Sequence, residues 1–253
     1  MALLTYCLLL GALAVFQDRV IYPAPAGGAP PALTGWQRIG LETKAGRLVA
    51  YRLPARAGMP TVVFLHGNAS GYRDSVLATA GMAARGMGVL VVEYPGYAGN
   101  PGRPTEASLR MAADAGMDQL IADGVSPGRI AVYGNSVGTG AAIHAAMRPH
   151  GMLILVSPLA SMTDLVRGRF PGTPAFLLRD RHENAATIAR VKGPVLIVHA
   201  RDDQVIPFEQ GERMAAAARV ALTALPAGDH QIAFDRTVSD RVADHILENI
   251  PPL

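Results

Sequence analysis

The chain has 253 residues, half of them hydrophobic and 17% charged, so it can bury a full core and lacks the composition of a disordered protein. Its 23 basic and 20 acidic residues leave a formal charge of +3. That charge is too small and too scattered for a phosphate-binding surface and argues against nucleic acid as a partner. Cys7 is the only cysteine, which rules out an intramolecular disulfide, a cysteine-based zinc site and a cysteine nucleophile in the folded body.

Residues 2–16 carry no charge and run into Gln17, Asp18 and Arg19. As a helix this stretch spans about 22 Å at about 1.5 Å per residue, short of the roughly 30 Å hydrocarbon layer. It predicts an anchor segment over residues 1–21 and a membrane-associated protein. Two other readings stay open. Ala12-Leu13-Ala14 has the small-x-small form of a cleaved signal, which would leave a periplasmic or secreted body, although no positive residue precedes the apolar run. The segment can also pack on the body as a helix. Cys7 reads as a small apolar side chain of this segment, with lipid attachment as the alternative. Residues 22–34, with Pro23, Pro25, Pro30 and Pro31, read as an extended linker, leaving 35–253 as one catalytic domain.

The body alternates strand-like and helix-like stretches. Residues 39–42 and 48–53 form a hairpin turning through Ala45-Gly46. Residues 61–65, 88–92 and 195–198 are continuous apolar runs rich in β-branched residues, the pattern of strands covered on both faces. Further strands are expected at 130–133, 152–156 and 221–225. Helices are expected at 75–85, 106–123, 138–147, 208–218 and 238–249, with Pro207 at a first-turn position. A hairpin followed by repeated β-α units predicts a doubly wound α/β sheet. In such a sheet, ligands bind beyond the carboxyl ends of the strands.

One strand runs into Gly134-Asn135-Ser136-Val137-Gly138, a G-x-S-x-G sequence in a strand-turn-helix setting. A serine on a tight turn projects its hydroxyl above the sheet, and a side chain two residues before or after it would clash; both positions are glycine. A serine hydroxyl is a weak nucleophile until a base takes its proton, so a histidine and an orienting carboxylate are required. The strand at 195–198 leads to Asp202 and Asp203, and that at 221–225 leads to Asp229-His230. Asp203 is preferred because Val205 and Pro207 beyond it suggest a turn that aims its side chain at the histidine. Asp202 and Asp229 are expected to cap loops or face water. His66, His144, His150, His182, His199 and His245 are read as structural. The tetrahedral oxyanion requires preorganised donors. These are expected from the amides of Val137 and, in His66-Gly67-Asn68, of Asn68.

The ordered set His66-Gly67-Asn68, Glu93-Tyr94-Pro95-Gly96-Tyr97, Gly134 to Gly138, Asp203 to Pro207 and Gly228-Asp229-His230 resembles the α/β-hydrolase superfamily. The apolar N-terminus before Ile21-Tyr22-Pro23, Ser157-Pro158-Leu159, and Leu178 to Arg181 narrow the likeness. They resemble a small-lid, membrane-associated branch that includes protein depalmitoylases and bacterial hydrolases. The resemblance implies an eight-stranded-type, mostly parallel sheet with helices on both faces and a short lid over residues 157–191. It also implies a serine hydrolase that cleaves an acyl ester or thioester through Ser136, Asp203 and His230 and requires no metal or organic cofactor. Tyr97, Met162, Leu165 and Phe170 are the expected substrate contacts, the lid residues being equally suited to packing on the sheet. Arg167, Arg169, Arg179 and Arg181 form either an anion-reading set or a solvated face. The chain departs from the branch at Asn135 and Val137 and lacks an N-terminal cysteine cluster. A peptidase using the same three residues and a non-catalytic binding protein of the same fold are the alternatives.

Overall fold

The computed structural model describes residues 2–24 and 33–253, without the side chains of residues 2–4, 7 and 13. Most of the expected linker, at 25–32, and the Cys7 thiol therefore lie outside the described residues.

The strands form one eight-stranded sheet among the described residues. The expected hairpin is β1 (Gln37–Thr43) and β2 (Gly46–Leu53), paired antiparallel, with β2 also antiparallel to β4 (Gly88–Val92). From there β4, β3 (Thr61–Leu65), β5 (Ile130–Asn135), β6 (Met152–Val156), β7 (Val195–Ala200) and β8 (Leu222–Leu225) run parallel. The spatial order is β1-β2-β4-β3-β5-β6-β7-β8. Because strand side chains alternate between faces, each inner strand feeds two cores. Val63, Leu65, Leu90, Val92, Val132 and Leu155 enter one, against α4 (Glu106–Ala122), α5 (Thr139–Ala145) and α8 (Phe208–Ala218). Val62, Phe64, Val89, Val91, Tyr133 and Ile154 enter the other, against α2 (Tyr72–Ala78), α3 (Ala80–Ala84) and α9 (Arg236–Asn249). Burying one such side chain is worth about 1.5–3 kcal/mol, which is why these strands read as unbroken apolar runs.

Local hydrogen bonds move several helix ends away from expectation. The helix expected at 75–85 is two helices. It starts earlier because the Asp74 carboxylate accepts from the Gly71 amide at 3.2 Å. It breaks at Thr79, whose hydroxyl donates to the Ser75 carbonyl at 2.8 Å; such back-bonding competes with a regular helix. α9 starts at Arg236 because Asp235 caps the Thr237 amide at 2.7 Å. α5 begins at Thr139 because Ser136–Gly138 take a 3₁₀ turn first.

The lid is built of short helical elements. α6 (Met162–Arg169), a 3₁₀ turn at Ala175–Leu177 and α7 (Asn184–Ile188) cover residues 157–191. Ser161 caps α6 by accepting from the Asp164 amide, and Pro171 and Pro174 fall between these elements, where a missing N–H costs nothing. The apolar N-terminal segment is a helix, α1 (Ala2–Ile21), whose carboxyl end packs on the lid. Gln17 is buried and donates to the Leu177 carbonyl at 3.0 Å while accepting from the Arg179 amide at 2.8 Å. Among the described residues, no helix is long and apolar enough to cross a membrane.

Candidate active site

The carboxyl ends of β3, β5, β7 and β8 converge on Ser136. Immediately after β5, Ser136 takes φ +53°, the left-handed region that costs a residue with a Cβ roughly 1–2 kcal/mol. Packing holds the turn in that state. A Cβ added at Gly138 would lie 2.2 Å from the Leu65 carbonyl oxygen, and one at Gly134 would lie 2.6 Å from Ala142 Cβ. The two glycines thus let the turn sit between β3 and α5, as the motif requires.

Ser136 Oγ lies 2.8 Å from His230 Nε2, and His230 Nδ1 lies 2.8 Å from Asp203 Oδ2. Asp203 is nearly fully buried. Its Oδ1 accepts the amides of Val205 and Ile206, both at 2.9 Å, which is the aiming turn expected from the spacing. Asp202 stays exposed, and Asp229 caps the Gln231 amide at 2.7 Å. Burial pushes the Asp203 carboxyl up, but hydrogen bonds from His199 and His230 outweigh it and hold the group well below the ordinary carboxylate range.

His199 is the residue that sequence reasoning passed over. It is completely buried at the end of β7, with Nε2 3.2 Å from Asp203 Oδ2 and 3.0 Å from the Ile206 carbonyl. Both neighbours are acceptors, so Nε2 carries the proton. A second imidazole donor therefore reaches the same carboxylate oxygen, Oδ2, that His230 Nδ1 meets. The signal was His199 four residues before Asp203, which is informative only once the loop after β7 is known to fold back against the strand's end.

The loop after β3 lies against the serine. A Cβ added at Gly67 would be 3.0 Å from Ser136 Cβ. The side chain of Asn68 donates to the Ile21 carbonyl, and among the described residues no acceptor meets its backbone N–H. Val137 is buried in the turn that begins at Ser136. Beneath the loop, His66 Nε2 faces the buried Glu93 carboxylate at 3.4 Å, and Tyr94 donates to the His66 carbonyl at 3.0 Å.

The expected substrate contacts are placed differently from one another. Tyr97 is buried beside the His66 ring and donates to the Pro23 carbonyl at 3.3 Å. Met162 and Leu165 pack into the core on the α4 side. Phe170 ends α6 through a bond from its amide to the Val166 carbonyl. Among the described residues, no hydrogen bond links any of the four to Ser136, His230 or Asp203. Three of the four lid arginines are engaged: Arg167 donates to the Thr173 carbonyl, Arg169 to the Val205 carbonyl and Arg179 to the Asp18 carboxylate of α1.

A sheet of this order, with a strained serine at the end of a central strand, defines the α/β-hydrolase class of folds. The model of the alpha/beta hydrolase family matches residues 62–190, and the chain belongs to that family. It is 36% identical to an uncharacterized protein of Mycobacterium tuberculosis over 80% of this chain and 75% of that protein. It is 31% identical to alpha/beta hydrolase domain-containing protein 17C of Mus musculus, covering 76% of this chain and 61% of that one. Among solved structures, the Pyrococcus furiosus esterase Pf2001 shares the fold at a TM-score of 0.70 and 17% identity, over 89% of this chain and 98% of the esterase.

Proposed function

We propose that this family member is a serine hydrolase that cleaves carboxylic ester or thioester bonds through an acyl-enzyme. The observation that carries the reading is the unbroken hydrogen-bond chain from Ser136 Oγ through His230 to the buried Asp203 carboxylate. An ionised carboxylate at Nδ1 holds the proton there, which leaves the Nε2 lone pair to accept from the serine hydroxyl. His230 takes that proton as Oγ bonds to the acyl carbon. The amides of Val137 and Asn68 face the resulting oxyanion. As the carbonyl re-forms, the alcohol or thiol leaves with the proton from His230. Water then attacks the acyl-enzyme, again giving its proton to His230, and the acid departs as Ser136 recovers its own.

The test is labelling with a fluorophosphonate followed by peptide mapping, with hydrolysis of a short p-nitrophenyl ester measured on wild type and Ser136→Ala. The label is expected on Ser136, and the variant is expected to lose turnover by about a million-fold relative to wild type while remaining folded. Wild-type activity in Ser136→Ala, or a label on another residue, would overturn the proposal. Aminoacyl amides run alongside separate an esterase from a peptidase by whether alcohol or amine is released faster.

A further inference from the structure

α1 has two long faces that meet different surroundings. Tyr6, Leu10, Ala14, Gln17 and Ile21 recur at helical spacing and are half-buried or buried. Tyr6 donates to the Pro171 carbonyl, and Gln17 bridges Leu177 and Arg179. On the opposite side Leu8, Leu9, Ala12, Val15, Phe16 and Val20 form an open column at the same spacing. Leu8, Val15 and Val20 are each more than 60% exposed, and Phe176, next to the Leu177 that Gln17 holds, is 76% exposed. Single exposed apolar residues are ordinary, but a continuous column of this length is an interaction surface.

The charges bordering the column choose its partner. Arg19 continues the exposed face, its guanidinium 5.7 Å from the centre of the Phe16 ring. Exposed Arg103 joins it around a recess of about 450 Å³ that Val15, Phe16, Tyr22 and Gly96 also line. Asp18, the only acid of the helix, is engaged by Arg179 at 2.9 Å. An apolar stripe edged by arginines, on a helix too short of apolar length to cross a bilayer, matches a helix lying in the plane of a lipid surface.

We propose that α1 docks this face on an anionic membrane surface, with the column in the acyl boundary and Arg19 and Arg103 at the level of the headgroups. The carboxyl end of α1 is fastened to the loop after β3, which lies against Ser136, and to the lid. The Ile21 carbonyl accepts from the Asn68 side chain, and the Pro23 carbonyl accepts from the Ala69 amide at 2.9 Å. The Tyr22 hydroxyl donates to Asp180 at 2.7 Å on the lid and lies 2.6 Å from His182 Nε2. Docking therefore brings the Ser136 site to the lipid surface and favours substrates whose acyl chain resides in the membrane. This consequence rests on the nucleophile reading above, whereas docking itself does not.

The experiment is flotation of the full chain with vesicles of phosphatidylcholine alone and of phosphatidylcholine mixed with phosphatidylglycerol. It compares wild type, Ser136→Ala, the double variant Leu9→Glu/Phe16→Glu, and Arg19→Ala/Arg103→Ala. Wild type and Ser136→Ala are expected to float equally and to prefer the mixed vesicles. The double glutamate variant is expected to lose at least tenfold in partitioning while hydrolysing a soluble ester at the wild-type rate. Removing the two arginines is expected to cost about fivefold per arginine on mixed vesicles and to leave partitioning on phosphatidylcholine unchanged. Wild type that floats with neither vesicle would overturn the proposal. So would glutamate variants that float like wild type, or a wild-type dimer in the absence of lipid that Leu9→Glu/Phe16→Glu converts to monomer, which would assign the column to a second copy.

Discussion

The serine platform and the helix-lid layer are both held by polar contacts, but over very different sequence distances and under different steric limits. At the platform, the turn at Ser136 is confined by backbone within a few ångströms: Gly138 against Leu65, Gly67 against Ser136. Two of the residues that permit it, Gly134 and Gly138, are neighbours of the serine in sequence. In the layer above, one buried amide, Gln17, joins α1 to lid positions 160 and more residues away. The comparison teaches that steric confinement leaves a short motif, while a long-range polar clamp leaves a single ordinary residue with nothing around it to mark its partner.

Three substitutions break or sharpen this contrast, beginning with the largest effect. Asp203→Asn is expected to lower kcat on a soluble ester about 10⁴-fold, with the fold retained, because an amide no longer fixes the Nδ1–H form of His230. It also has a sign in pH. Asp203 is held below the ordinary carboxylate value, about 3.9, so the stability it contributes is present above that value and is lost as the pH falls towards the folded-state value. The stability gap between wild type and variant, read by denaturant titration, should narrow on acidification below about pH 4; a gap independent of pH would show that the carboxylate is not held as described.

His199→Phe is expected to lower kcat about ten- to a hundredfold, the worth of one hydrogen bond to a charged group, while KM holds. With one donor removed, Asp203 grips the His230 proton more strongly, so the acid limb of the kcat profile moves to higher pH. His199→Gln, which can still donate, should recover part of both changes. An unshifted profile would reduce His199 to packing.

Gln17→Ala gives the smallest effect. It leaves the Arg179 amide and Leu177 carbonyl without their partner and is expected to cost about 1–3 kcal/mol. Its signature is regional. Hydrogen exchange should rise at the Arg179 amide and in the lid, with the β5 to α5 segment unchanged, and protection lost equally in both would mean that the two layers unfold as one unit.

Most of the sheet and the Ser136, Asp203 and His230 set were legible because their signals are local. Buried parallel strands must be apolar on both faces, and the carboxylate turn uses amides two and three residues on. His199 was less legible because its role depends on β7 and the following loop folding back on each other. The helix break at Thr79 was hidden because it depends on a side chain choosing its own backbone over a continuous helix.

By itself, the amino-acid order determined the α/β arrangement, the hairpin at its edge and the positions of the hydroxyl, acid and imidazole, since each follows from periodicity or from sterics within a few residues. Only the tertiary structure decided that α1 lies on the lid, that a second histidine holds Asp203, and that Met162 and Leu165 turn into the core. Those outcomes are set by which distant surfaces meet, and a free-energy minimum reached through contacts far apart in the chain leaves no period or spacing behind.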